Sequence, residues 1–524
     1  MNDRSTSTPR FGRGVAWLTV TLFGVLTLWA TLTPPFATVD EPRHANSVIR
    51  LVQGGGWPPP REAVMLEASA VAAEEARQGV ARSERSAVLG LDRPESSSPR
   101  RDWMNQHPPL YYGISAAAVV TADALAPGDQ RWDTSLLVMR MVSVLLTAAS
   151  VPFVARSVLL VTGSTPAALV GAGVFLLIPQ LANTHSLVTN DAMVTLLGSI
   201  VMFACLRALM RPETLLSSSV VGGAALGVGL LTKGLMLPAV PVLAVFLLLA
   251  GRRAGRGWVP RFWVPLLGGT IAFLVGGWWW LRNIVVYGQV QSSNNQSPRA
   301  AEPFDDYSAI GFAVAVVARL NRTFWASIRS QAAYDGSVVV AMGVLGLLVV
   351  LTALVLSRSR GVLLLTAIYP ALVATLFTVN AFRIYWNSGV VAGVQGRYLY
   401  SGLTFLALAL ALVWVEVRRR GGRTAGLVLA TSVAVASAAA AVGSYLFAFR
   451  VRWIEGDGPV AAYESMVRAG ALQPWQHLGV VTLTAVAATM ALVTILRACA
   501  DDDPDEGTAG RSSSETVVSR PAAD

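Results

Sequence analysis

Cysteine is nearly missing from this chain: Cys205 and Cys499 are the only two in 524 residues. The topology argued below sets both near the cytoplasmic side, which excludes a disulfide framework and a cysteine metal site. Charge is scarce too, at 14% of residues against 53% hydrophobic, and several long runs carry almost none. These runs exclude an ordinary soluble domain, because each is long enough to cross about 30 Å of hydrocarbon. The net charge of +10 does not signal nucleic acid, since the basic residues form short clusters between apolar runs: "GRRAGR" from Gly251, "SRSR" from Ser357 and "RRRGGR" from Arg418. Clusters of this kind mark cytoplasmic loops. The chain also lacks a P-loop, a G-x-G-x-x-G after a strand and a soluble nucleotide-binding domain. Any activated substrate would therefore have to arrive through the membrane, already joined to a lipid. Internal repeats and charges at mid-membrane, common in transporters or flippases of lipid-linked saccharides, are absent as well.

What is present is an ordered series of apolar runs. The first, from Gly14 to Thr33, follows Arg10 and Arg13 and exceeds the usual signal-peptide core. It reads as an uncleaved helix with its N-terminus inside. A polar stretch too long for a simple connector then runs outside from Pro34 to Thr134. It holds "WPPP" from Trp57, an Ala/Glu-rich surface helix between Arg61 and Arg85, and a Ser/Pro/Arg linker near Ser96. If the apolar segment Leu110 to Ala126 crossed, every later basic cluster would flip outside, so it is expected to lie at the outer face. Crossings follow near 136–155, 167–181 and 192–209. A short hairpin then carries Lys233 near its outer tip, and further crossings fall near 262–281, 338–356, 362–379, 399–415, 425–447 and 478–496.

The expectation is an all-α polytopic membrane bundle of about 12 transmembrane helices. Its parts are a cytoplasmic N-terminus (1–13), a transmembrane catalytic region (14–416) with extracytoplasmic loops 34–134 and 283–336, C-terminal helices (417–497) with outer loop 448–476, and a disordered cytoplasmic tail (498–524).

Basic clusters alone set this threading, yet it gathers the unusual polar motifs on the outer side. "DEPRH" follows the first helix, "NQHPPLYY" precedes the outer-face segment, and "THSLVTND" lies between the third and fourth helices. Lys233 tips the hairpin, "WWWLRN" ends in Arg282 and Asn283, and "GVQGRYLY" brings Arg397 and Tyr398. Each motif has a plainer reading. Asp40, like Asn190, suits a helix N-cap; Arg282 behind three tryptophans suits an interfacial anchor; Lys233 and Arg397 can snorkel; His107 before two prolines can shape a turn. Their shared face shifts the balance toward function. In a helical "DEPRH", Asp40 and His44 share a face while Glu41 turns away. Carboxylates beside three cations at headgroup depth suit acid/base work next to an anion.

These motifs, from Arg13 to about Phe405, resemble the GT-C membrane glycosyltransferases. That superfamily includes protein O-mannosyltransferases, the aminoarabinose transferase of lipid A and oligosaccharyltransferase catalytic subunits. The nearest resemblance is to a bacterial family of predicted membrane proteins with "DEPxH" and "GVQGRY" motifs. It implies a multi-pass protein of the bacterial cytoplasmic membrane, with an extracytoplasmic active site that transfers sugar, with inversion, from a polyprenyl-phosphate donor to a glycan, lipid or protein acceptor. Asp40 would be the catalytic base. Glu41 and Asp191 would orient sugar hydroxyls, Lys233, Arg282 and Arg397 would stabilise the departing phosphate, and His44 and His107 would orient the carboxylates or the sugar. Asn190 and Tyr398 belong to the same substrate-binding set. The resemblance makes no cofactor certain; a divalent cation, magnesium or manganese, is the open alternative. The acceptor site is expected from loops Tyr287 to Asp335 and Arg450 to Gln476, with Trp325 as a stacking candidate.

Overall fold

The computed structural model describes residues 9–38, 40–60, 62–88, 100–126, 131–291, 308–327, 334–454 and 458–501. The linker near Ser96, much of the 283–336 loop and the tail beyond Asp501 lie outside the described residues. Among those described, the chain is helical, with two isolated bridges, Val64 to Arg101 and Ala87 to Arg131, as its only β pairing. The first half comprises α1 (Pro9–Leu32), α2 (Glu41–Val52), α3 (Glu67–Gln78), α4 (Leu110–Leu125), α5 (Trp132–Ala148), α6 (Val151–Thr162), α7 (Thr165–Ala172), α8 (Pro179–His185), α9 (Asp191–Met210) and α10 (Leu215–Leu230). The second half comprises α11 (Ala239–Arg253), α12 (Trp258–Ala272), α13 (Trp278–Tyr287), α14 (Ala309–Trp325), α15 (Gly336–Leu356), α16 (Arg360–Ser388), α17 (Leu403–Trp453), α18 (Gly458–Ala469) and α19 (Pro474–Asp501).

Among the described residues, ten helices are long and apolar enough to span a membrane, and a pair bent by 63°, Thr165–Leu176 with Pro179–His185, counts as an eleventh. Pro179 causes that bend by pushing Ile178 out of the helical region, to φ −114° and ψ 92°. One further division brings the total to the expected twelve. The 51 residues of α17 contain Gly422 at φ 71° and ψ −172°, where the helix breaks. At about 1.5 Å per residue, an unbroken α17 would be more than twice as long as the hydrocarbon is thick. By contrast α4, at 16 residues, is short of a span; it packs on α2 and α5.

Large apolar side chains on α12, α15 and α19, such as Leu266, Leu345 and Leu483, are exposed, as a hydrocarbon solvent permits. Inside the bundle, small residues let backbones approach. A Cβ on Gly223 would lie 2.4 Å from Gly268 O, and one on Gly276 would lie 2.0 Å from Gly227 O.

The polar motifs converge at one end of this bundle, where α1 stops and α9 begins. The other end of α9 carries Arg207, near the Arg253 end of α11, whose guanidinium reaches Leu209 O at 3.4 Å. Twenty residues of helix, about 30 Å, separate Asp191 from that basic end.

Candidate active site

Asp40 occupies the N-cap position of α2, but its side chain makes no capping hydrogen bond. Its carboxylate turns instead to Arg397, whose Nη2 donates to Oδ2 at 2.9 Å. The same guanidinium approaches a second acid, with Nε 3.4 Å from Asp191 Oδ2, and Lys233 Nζ donates to Asp191 Oδ1 at 2.6 Å. The result is an alternating line, Asp40, Arg397, Asp191, Lys233, drawn from four separated parts of the chain. Its outer pair is the more accessible: the Asp40 and Arg397 side chains are 31% and 20% exposed, against 5% for Asp191. Burial raises the Asp40 carboxyl, but the charge and hydrogen bond of Arg397 outweigh it and hold the group below its ordinary value.

Local structure explains how the cations are aimed. Lys233 sits in extended backbone between α10 and α11, at φ −162° and ψ 146°, so its stem leaves the helix axis and crosses the ring of Tyr398, with Nζ 4.9 Å from the centroid. Arg397 opens a 3-10 turn, Gly396–Gly402, wedged between helices by two glycines. A Cβ on Gly396 would lie 2.4 Å from Phe324 N in α14, and one on Gly198 of α9 would lie 2.4 Å from Ser401 O.

Glu41 is beside Asp40 in sequence but serves a different structure. Both its oxygens accept from Arg140 of α5, at 2.8 Å from Nε and 2.7 Å from Nη2, and Val188 N donates to Oε1 at 3.3 Å. Arg140 Nη1 also donates to Ala30 O and Thr33 O. This buried fork ties the end of α1, the start of α2, α5 and the approach to α9 into one corner. The Glu41 carboxylate, expected to meet substrate, is paired with Arg140 here and does not join the line of charges. Arg282 likewise stays apart. It is exposed and packs on Trp279 and Tyr287, 5.1 and 5.5 Å from their ring centroids, and no described contact joins it to the line of charges.

His44 lies one turn beyond Asp40 and shares a 3.0 Å hydrogen bond with Tyr112 Oη through Nδ1. Burial pushes its pKa down to about 4 and that of His107 well below the ordinary value, so both imidazoles are neutral at neutral pH. Asn190 makes no capping bond on α9; its Nδ2 donates to Tyr112 Oη at 3.5 Å. Trp325 wedges against Gly346 of α15 and Phe324, which accounts for its ring without a ligand. Among the described residues, no group of three or more His, Cys, Asp or Glu gathers to hold a metal.

Two residues here were not singled out from sequence. Arg140 is a lone cation within an apolar helix, a costly placement that implies a buried partner. Tyr112 lies inside "HPPLYY", but nothing local indicated that His44, Trp57 and Asn190 would meet on it.

A family model described as "Predicted membrane protein (DUF2142)" matches residues 23–406. The chain belongs to the DUF2142 family. Its matched span includes Asp40, Asp191, Lys233 and Arg397, the whole line of charges. No curated protein matches this DUF2142 chain. Similar solved structures include ArnT from Cupriavidus metallidurans bound to undecaprenyl phosphate, with TM-score 0.47, 16% identity, and coverage of 97% of this chain and 79% of that one. The S. cerevisiae protein O-mannosyltransferase Pmt1-Pmt2 complex, bound to the sugar donor, has TM-score 0.38 and 15% identity, covering 58% and 38%. The Archaeoglobus fulgidus oligosaccharyltransferase tethered with an acceptor peptide has TM-score 0.37 and 11% identity, covering 96% and 57%.

Proposed function

We propose that this multi-pass membrane protein is an inverting glycosyltransferase that moves a sugar from a polyprenyl-phosphate donor to a hydroxyl of an envelope glycan, lipid or protein. The site would face outward from a bacterial cytoplasmic membrane, since the arginine clusters belong at the opposite, cytoplasmic end of the bundle. The observation that carries the reading is the line Asp40, Arg397, Asp191, Lys233 at one end of the helical bundle.

As the acceptor oxygen bonds to the anomeric carbon, Asp40 takes the hydroxyl proton. The anomeric carbon–phosphate oxygen bond breaks, and its electron pair leaves with the phosphate. Arg397 and Lys233 stabilise that departing charge, which is greatest late in the reaction and is best met by fixed cations. In the unliganded line every charge already has an opposite partner. A donor phosphate therefore competes with Asp40 for Arg397, and its arrival releases the base for the acceptor. Asp191 remains between the cations and keeps them aimed. Glu41 acts through Arg140 as a positioning residue, and Tyr398 spaces Lys233 from Arg397.

The test is transfer from a radiolabelled polyprenyl-phosphate sugar pool, in membranes carrying the wild type or Asp40→Asn at matched expression. Labelled glycan from the wild type alone supports the reading. Equal transfer in both removes Asp40 from the chemistry and favours a carrier of lipid-linked saccharides.

A further inference from the structure

Among the buried polar atoms with no hydrogen-bond partner in the described residues are Trp57 Nε1, Asn105 Oδ1, His107 Nδ1 and Asn190 Oδ1; the Trp57 ring and the Asn190 amide meet Tyr112 directly. They come from separate pieces of chain. Trp57 opens "WPPP", and its ring lies 5.0 Å from that of Tyr112. Asn105 is fastened through Nδ2 to Pro58 O at 3.2 Å, which leaves its carbonyl oxygen over. Asn190 is fastened through Nδ2 to Tyr112 Oη, with the same consequence. His107 ends the 3-10 turn that carries Asn105, its backbone N–H donating to Met104 O at 2.9 Å. Asn190, Asn105 and His107 are 0%, 1% and 7% exposed. Native proteins pair nearly all such atoms, so unpaired groups on segments joined through Trp57 and Tyr112 ask for a ligand.

We infer that this cluster is the subsite for the donor's sugar ring and that the ring it takes is uncharged. The inference rests on the glycosyltransferase reading above. Two amide oxygens accept, the indole N–H donates, and the imidazole nitrogen can do either. Ring hydroxyls, each able to donate and accept, match this mixture. The faces of Trp57 and Tyr112 give the apolar C–H side of a sugar a wall to pack on. All four unpaired atoms belong to uncharged side chains. A sugar carboxylate or ammonium would therefore be desolvated without compensation. The subsite is also placed for the reaction, since Tyr112 holds His44, one turn from Asp40.

The experiment uses the full-length protein in lipid nanodiscs, with competition against radiolabelled polyprenyl phosphate. The competitors are polyprenyl phosphate itself and the same lipid carrying neutral hexoses, neutral pentoses or a hexuronic acid. At least one neutral sugar should strengthen binding tenfold or more over bare phosphate, and the uronic acid should not. Trp57→Phe, Asn105→Ala and Asn190→Ala should each shrink the sugar's advantage by about fivefold, the loss of one hydrogen bond, with bare-phosphate affinity unchanged. That unchanged affinity shows the variant is folded; where an asparagine variant loses both, Trp57→Phe, which keeps the aromatic wall, decides. An advantage untouched by the variants, an equal advantage for the uronic acid, or no advantage for any neutral sugar overturns the subsite while leaving the phosphate reading intact. If bare polyprenyl phosphate fails to bind the wild type, the glycosyltransferase reading itself falls.

Discussion

Replacing Glu41 with glutamine separates two roles that adjacent carboxylates could share. In the wild type the buried Arg140 side chain, 5% exposed, meets both oxygens of Glu41, itself fully buried. Glutamine keeps one acceptor for Nε but turns an amide N–H₂ toward Nη2, so one hydrogen bond becomes a contact between donors and the guanidinium loses its counter-charge. Breaking one partner of a buried ion pair costs about 3–5 kcal/mol. Arg140 retains the carbonyls of Ala30, Thr33 and Pro34, which places Glu41→Gln near the lower end, at about 3 kcal/mol. Asp40→Asn is the contrast. Its ion pair is partly exposed and Arg397 keeps Asp191, so the expected loss of stability is about 0–1 kcal/mol. Thermal unfolding of the purified variants, with turnover normalised to folded protein, distinguishes them. Glu41→Gln should lower Tm by several degrees and retain most of its turnover per folded molecule; Asp40→Asn should keep Tm and lose turnover. A Glu41→Gln protein of wild-type stability and no activity would refute the assignment of the clamp.

Three further expectations follow from the same geometry. The folded pKa of His44 is about 4 against 6.5 for the free group, so the unfolded chain binds the extra proton between those values. Stability should be level above about pH 6.5, fall as pH drops toward 4, and fall less steeply in His44→Gln, as urea titrations across that range would show. Gly396→Ala places a methyl group 2.4 Å from Phe324 N and 2.5 Å from Leu320 O; both are backbone atoms, so the turn shifts, Arg397 moves with it, and turnover should drop by at least tenfold, measured against an unchanged expression level. In a background without Cys205 and Cys499, an impermeant thiol reagent applied from outside should label a cysteine at Gln473 and not one at Arg256; the reverse pattern would invert the proposed sidedness.

Much of the architecture was legible because hydrocarbon imposes a length and because basic residues collect on one side. Those rules placed Lys233 at the tip of a hairpin and kept Leu110 to Ala126 from being counted as a crossing. They also implied two spans on either side of the break at Gly422. The site was legible as a set of motifs but not as a set of pairings. Asp40 and Arg397 are 357 positions apart, and no periodicity encodes their meeting. The pairing of Glu41 was hidden because Arg140 lies 99 positions away inside an apolar helix, where only the cost of a lone buried cation pointed to it. Arg282 shares sequence features with the other cations, and its exposure could not be told from its neighbours. The helix α14, which seats the Gly396 turn, was hidden in a segment read only as a loop.

The central claim is that Asp40 carries the chemistry of sugar transfer from a lipid phosphate. The most direct measurement is release of polyprenyl phosphate from a synthetic polyprenyl-phosphate sugar by the purified protein in nanodiscs, with acceptor supplied from solubilised envelope material. The wild type should release polyprenyl phosphate stoichiometrically and form glycan, and Asp40→Asn should do neither, while still binding donor and unfolding at the wild-type temperature. Equal release by the two proteins would contradict it.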